Sequence, residues 1–555
     1  MNPAAPNLSL IGRIARLVSI LLLMYWGTFA LVCPVMTIDA QIYNLARVEL
    51  ALRDGLFDNR FFTSVFHVIY PWTFDAVHLP FLLWGWGYAL PSFLCLAGTC
   101  LAIHPMIRAR FGFDAAWTAV LALLALPCLV YQATATKNDL ALLFAGAVWV
   151  YARWRWQREH ADWHLIWMVL AIAFMSGAKT TGVIPAAALA GWTLWELRRS
   201  GPLLTRALFG LAAAGLSFGS LETYVENARQ YGHPLGPPAL LRRASNTAGV
   251  KGTAANLIRH TAGAVYLGQT DFSGAPSPST WFSGGTRRLL AATALTDAGN
   301  DRHSPDLNLY LHQSGLEELS GYGPVGTLAM LAMLAGAFYW KNRRHVWWQL
   351  AVAGLLGLML ISSTIGYTPW AKRYLLPWFA LGTLSVVCLL WESNAPWRVG
   401  LRWGFLVLAA FSSLAAPLWS FNRGPRALLD AFRDRERLET SAYPVVGQVR
   451  ESLRRLHRDT PAGRIFIVTH DETVLLPLLT DQALAVLPVT RAGFQDLLDR
   501  GNVKTGDLAV FESPIQLAEL VLIETVTAPN VFSFRDTRSQ YIYRFTPPVS
   551  PDPRP

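Results

Sequence analysis

Four consecutive polar residues, Thr136, Lys137, Asn138 and Asp139, stand immediately before an apolar run that ends at Tyr151. If that run crosses a membrane, a lysine and an aspartate at its doorstep are expensive to bury. They are either solvated helix-end residues or groups that handle charged chemistry at the membrane surface. Lys179, Lys372 and Arg373 flank apolar segments in the same way. Asp39 follows the first apolar run and precedes a helical pattern that begins at Ala40. It reads as a helix N-cap, and a carboxylate placed there also faces the membrane surface. The two roles are compatible.

The elements that must position these groups are membrane spans. Of 555 residues, 53% are hydrophobic and only 15% are charged, against about 25% charged in an ordinary soluble protein. The net charge of +11 comes almost wholly from arginine, since lysine occurs only at 137, 179, 251, 341, 372 and 504; this usage fits a GC-rich bacterium. Cys33, Cys95, Cys100, Cys128 and Cys388 all lie in or beside apolar stretches and read as small buried hydrophobes. The N-terminal apolar run has a basic flank and no clean small-x-small cleavage site, and reads as a retained first span. Eleven candidate spans follow, near 11–34, 80–103, 114–131, 139–153, 163–178, 180–197, 203–222, 323–340, 347–366, 374–391 and 402–420.

Alternate connections carry Arg13/Arg16, Arg108/Arg110, Arg153/Arg155/Arg158, Arg198/Arg199/Arg206, Lys341/Arg343/Arg344 and Arg398/Arg402. The positive-inside rule makes that side the cytoplasm, with the N-terminus inside and the C-terminus outside. The outer side then receives a loop at 35–79, turns at 132–138, 178–180 and 367–373, a long segment at 223–322, and the tail. Each of the three short outer turns holds a cation, against the insertion bias. Helix-end snorkelling is the alternative for any one of them.

In the first outer loop, Ile42, Leu45, Val48 and Leu52 fall at helical spacing with Arg47, Glu49 and Arg53 on other faces. A second stretch at 61–79 mixes aromatics with His67, Asp75 and His78. Both are expected to be amphipathic helices in the interface plane. The tail from 421 opens with a charged helical stretch. Short β-rich runs at 464–469, 483–488 and 507–512 then alternate with helix-like segments, an α/β pattern without a glycine-rich phosphate loop. A covering or acceptor-guiding domain is the expectation. "YGHPLGP" (231–237) reads as a proline-stiffened turn.

Five stretches, "DAQIYNLARVELALRDG" (39–55), "ATATKNDLALLF" (133–144), "SGAKTTGVIPAA" (176–187), "ENARQYGHPLGPP" (226–238) and "YTPWAKRYLLPWFAL" (367–381), together resemble the GT-C glycosyltransferases. The branch resembled includes protein O-mannosyltransferases and lipid A aminoarabinose transferases. The resemblance covers most of residues 10–391 and implies a polytopic α-helical membrane protein with a GT-C-type helix bundle, which the span count sets at about 11 transmembrane helices over residues 1–420; it does not explain the tail, read from its own pattern as a C-terminal soluble α/β domain over 421–555. It implies a catalytic aspartate at Asp39, a second acidic residue at Asp139, and a basic pair at Lys372 and Arg373. Many relatives carry Tyr-His after the first aspartate, where this chain has Tyr43-Asn44.

Members of the family take a sugar from a polyprenyl-phosphate donor lipid and pass it to an acceptor outside the membrane. The resemblance therefore implies an inverting glycosyltransferase, a hexosyl- or pentosyltransferase, in a bacterial cytoplasmic (inner) membrane. Asp39 would be the base, and Lys137, Lys179, Lys372 and Arg373 the pool that holds the donor phosphate. Tyr43, His67, His233 and Tyr374 would contact substrate. Asp139 could share a divalent metal cation with Asp39, orient the acceptor, or pair with Lys137. The acceptor, a glycan, lipid or protein, is left open. The rivals are a lipid-linked saccharide transporter or flippase, which would place charge near the bilayer midplane, and a glycan ligase or polymerase.

Overall fold

The computed structural model describes residues 9–37, 39–54, 65–161, 163–200, 221–265, 278–295, 321–339, 344–393, 395–419, 423–435, 444–459, 463–469, 476–479, 481, 483–484, 486–517, 520–530 and 533–546. They fall into two compact units. One comprises residues 1–31, 71–74 and 89–428, the other 32–70, 75–88 and 429–555.

The first unit is helical. With Leu10–Val32, Leu90–Phe111, Val346–Thr364, Lys372–Trp391 and Pro396–Leu418, five helices among the described residues are long and apolar enough to cross a membrane. Phe113–Leu124 and Pro127–Ala133, bent by 76°, are together apolar enough for a broken span or a re-entrant loop. Leu126 is extended at the bend and Pro127 lacks the N–H that would continue the ladder. Asp139–Glu159, Trp163–Ala178, Val183–Ser200 and Gly323–Phe338 stand at further positions expected for spans. Most of the span expected at 203–222 lies outside the described residues. The chain is a multi-pass membrane protein.

One expected span changes its bounds. Instead of running from 80 to 103, the long helix begins at Leu90, after a separate short helix Leu79–Trp84. Gly85 and Gly87, both at φ +70°, turn the backbone left-handed between them.

Small residues let the helices approach. Gly357 faces the indole of Trp378, where no side chain would fit. Gly182 sits against the backbone carbonyl of Met175, which cannot swing aside. Gly182→Ala is therefore expected to destabilise the protein by about 1–3 kcal/mol through overpacking. Gly191→Ala, where an added Cβ meets nothing within 4 Å, is the control, and thermal melting of the purified protein compares the two.

In the second unit, a five-stranded sheet has the order β2-β1-β3-β5-β4. β1 (Ile465–Thr469) pairs in parallel with β2 (Val486–Thr490) and β3 (Leu508–Phe511). β4 (Leu520–Asn530) and β5 (Ser533–Phe545) form a long antiparallel hairpin that joins the sheet through β5. Phe466, Phe494, Phe511 and Tyr543 meet edge to face at 5.5 Å to fill its core. Thr490 caps the following helix by accepting from the Gly493 amide at 3.0 Å.

Candidate functional site

The helices Asp139–Glu159 and Trp163–Ala178 pack together across a short connection. The beginning of one is thus brought beside the end of the other. Asn138 donates to the Ala178 carbonyl at 2.8 Å and satisfies an acceptor at that helix end. A carboxylate at a helix start and a cation at a helix end both suit the helix dipole. Asp139, in the first turn, and Lys179, just past the last, form an ion pair there. The Asp139 side chain is 2% exposed and that of Lys179 13%.

Two more cations belong to this cluster. Lys137 and Arg373 both act electrostatically on Asp139, and Lys137 is 1% exposed. Its backbone carbonyl accepts from Ser92 at 3.0 Å, which ties the turn to the Leu90–Phe111 helix. The ring of Tyr374 lies under Lys179, 4.5 Å from its Nζ, and near Arg373, 5.5 Å from its guanidinium carbon. Asp139 thus takes Lys179 as its ion-pair partner, with Lys137 as a further neighbour. The neighbours named around this carboxylate are cations, an environment that suits an anion rather than a divalent metal. Among the described residues, no group of three or more His, Cys, Asp and Glu is gathered to hold a metal ion.

Lys372, adjacent to Arg373 on the 3-10 helix Pro369–Leu375, faces different company. It is buried and acts on His260, as does Arg259. Arg259 is fully buried, donates to Asn256 Oδ1 at 3.0 Å and to the Leu295 carbonyl at 3.3 Å, and lies 5.4 Å from the centre of the Tyr367 ring. Tyr322 donates to the Lys372 carbonyl and stacks on Phe379 at 3.7 Å. Asn256, Arg259 and His260 share one face of the helix Gly249–Ala264 at spacings of three and four. That face was the available signal for a group the motif reading passed over: three polar residues on one side of an Ala/Gly-rich helix.

His260 lies outside the spans. Burial, then the charges of Arg259 and Lys372, push its imidazole down to about 3. An unfolded chain takes up that proton near 6.5, whereas the folded one resists it. The stabilisation is complete above pH 6.5 and is lost as pH falls toward the folded value, by at most about 1.4 kcal/mol per unit. His260→Phe is expected to flatten this part of the acid slope in thermal melts between pH 7 and pH 4.

The second unit carries the first loop. Asp39 is half-buried at the start of a π-helical turn, Ala40–Asn44, and its carboxylate makes no capping hydrogen bond there. The Leu45 amide reaches back to the Ala40 carbonyl to close that turn. Gln41 Nε2 donates to the Val35 carbonyl at 2.6 Å, and His67 Nε2 bonds the Ile42 carbonyl at 2.9 Å. Such turns occur often at functional sites. Tyr43 belongs to the turn, while the His67 ring is engaged in holding it. His78 is buried as well.

Arg47 departs from expectation. In place of an exposed face of an amphipathic helix, it occupies a buried position, 1% exposed. It forms an ion pair with Asp75 and donates to the carbonyls of His67 at 3.2 Å and Tyr70 at 2.7 Å. The stretch expected as one helix over 61–79 contains the short helices Val65–Ile69 and Thr73–Ala76, and residues 61–64 lie outside the described set. Asp75 and these carbonyls give Arg47 a polar socket, which makes its burial tolerable.

His233, in the first unit, accepts from the Leu235 amide at 3.2 Å within its own turn. Gly232 and Gly236, both at positive φ, shape that turn as expected of "YGHPLGP".

Residues 68–220 match the family model of dolichyl-phosphate-mannose-protein mannosyltransferases. Among solved structures, the chain is similar to ArnT from Cupriavidus metallidurans bound to undecaprenyl phosphate, with 14% identity and a TM-score of 0.42 over 95% of this chain and 97% of that one. It is similar to the same protein in the apo state at 15% identity, with the same coverage and TM-score. No curated protein matches it. Residues 68–220, the stretch that the family model matches, include the helices Asp139–Glu159 and Trp163–Ala178 that set Asp139 beside Lys179.

Proposed function

We propose that this enzyme moves a sugar from a polyprenyl-phosphate donor to an acceptor at the extracytoplasmic face of a bacterial cytoplasmic membrane, with inversion at the anomeric carbon. The observation that carries the reading is the gathering of Lys137, Lys179 and Arg373 around Asp139, beside a turn whose Lys372 acts, with Arg259, on His260. Cations buried at helix ends are costly, and a phosphate on a lipid carrier is an anion that repays that cost where the carrier's tail enters the bilayer.

In the reaction, the acceptor hydroxyl attacks the anomeric carbon and its proton passes to the Asp39 carboxylate. The bond from that carbon to the phosphate oxygen breaks, and its electron pair stays on the leaving phosphate. Lys372 and Arg259 are the favoured hold for that phosphate, with arginine offering two parallel donors and lysine a point charge. Lys179 is engaged with Asp139, which fixes the neighbouring turn and leaves Lys137 and Arg373 to add positive potential. In this reading the C-terminal domain is extracytoplasmic and the N-terminus is inside.

Mass spectrometry of lipid co-purified with the protein tests the reading. A polyprenyl phosphate, or its sugar ester, is the expected find, and Lys372→Gln is expected to deplete it about tenfold or more, the loss of a charge-assisted hydrogen bond. Lipid extracts with phospholipid alone, from wild type and variant equally, would remove the proposal.

A further inference from the structure

The first loop and the C-terminal tail belong to one compact unit, although several hundred residues separate them in sequence. Three contacts join them. The turn Leu476–Leu479, with Leu478 and Leu479 buried, packs on both the π-helical turn Ala40–Asn44 and the helix Leu45–Asp54. At the far end of that helix, Arg53 donates to the carbonyl of Val486, the first residue of β2, at 3.1 Å. Past the loop, Arg435, within the tail, donates to the Gly85 carbonyl at 2.6 Å and lies 4.7 Å and 5.2 Å from the ring centres of Trp86 and Tyr88.

The short π turn has little to hold it by itself. Its non-standard ladder needs support from outside, since isolated π turns are rare. Some comes from the loop, through His67 and Arg47. The remainder comes from the sheet domain, whose Leu476–Leu479 turn rests on the residues that directly follow Asp39.

We propose that the C-terminal α/β domain is a positioning element for Asp39: by clamping the Ala40–Asp54 segment at both ends, it holds the carboxylate at the place where the acceptor hydroxyl must arrive. This rests on the assignment of Asp39 as the base. Arg53 is a positioning residue that acts through the segment it ties. The domain is thus a part of the transfer apparatus, beyond covering it.

The test uses the full-length protein in detergent. In Arg53→Ala, amide hydrogen exchange over residues 40–46 is expected to rise about tenfold, the equivalent of one lost hydrogen bond in the opening equilibrium. Exchange at β1 should stay as in wild type and report an intact domain. Binding of undecaprenyl phosphate should be unchanged. Turnover of an undecaprenyl-phosphate-linked sugar should fall with little change in donor KM, and Arg53→Lys alone, which keeps a donor for the Val486 carbonyl, should remain near wild type. Unchanged exchange over 40–46 in Arg53→Ala, with β1 protected, would overturn the proposal. Raised exchange with turnover intact would overturn it equally. A wild-type protein that transfers no polyprenyl-linked sugar would instead count against the transferase reading, and the exchange measurement would still decide whether the domain holds the turn.

Discussion

Asp39→Asn is expected to cut turnover by about 10²–10⁴-fold, the usual contribution of a positioned general base. Asparagine keeps the size and one acceptor oxygen of aspartate but cannot take a proton. The turn that follows is held by the Leu45 amide, Gln41 and His67. None of these ties uses the Asp39 carboxylate, so the turn should survive the change. Melting should shift by a few degrees at most, in line with about 0.5 kcal/mol for a substitution that leaves packing alone. Initial rates with an undecaprenyl-phosphate-linked sugar, read beside the melting curve, give both quantities. A variant that retains most of its rate would remove Asp39 from the role of base.

The second large effect is expected at Asp139. Its side chain is almost fully buried and paired with Lys179. Asp139→Asn leaves Lys179 beside Lys137 and Arg373 without the charge that offsets them. Breaking a buried pair from one side costs about 3–5 kcal/mol. Lys179→Met alone should cost less, because Arg373 and Lys137 still act on Asp139. The double replacement Asp139→Asn/Lys179→Met should recover at least about 1 kcal/mol relative to the sum of the single changes. Thermal melting of the four proteins closes the cycle. Strict additivity would mean that the pair adds nothing to stability, and that Asp139 serves another purpose than holding the turn.

Much of the helical unit was legible because hydropathy and helix length are local properties. The pairing of Asp139 with Lys179 was within reach of the same information, since two helices joined by a short connection must bring residue 139 beside residue 179. Among the three roles open to Asp139 in the sequence, the only pairing considered is with its neighbour Lys137, whereas the ion pair is with Lys179. Arg47 was misread for a related reason. A helical wheel shows which residues share a face, but not whether another segment covers that face, and here Asp75 and two carbonyls do so. Arg259 and His260 lay in a long segment with weak periodicity, where only their spacing from Asn256 marked them. The long hairpin β4–β5 escaped notice as well. Its exposed apolar residues Val521 and Leu522 blur the alternation that identifies a strand.

The tight helix Pro369–Leu375 has a consequence for how this chain can vary. With three residues to a turn, neighbours along it are separated by about 120° around the axis, which is how Lys372 reaches His260 while its successor Arg373 reaches Asp139. One residue gained or lost between Thr368 and Lys372 would rotate both side chains into each other's surroundings or out of them altogether. Length at this point should therefore be tightly constrained, because an indel scrambles two ionic neighbourhoods in a single step.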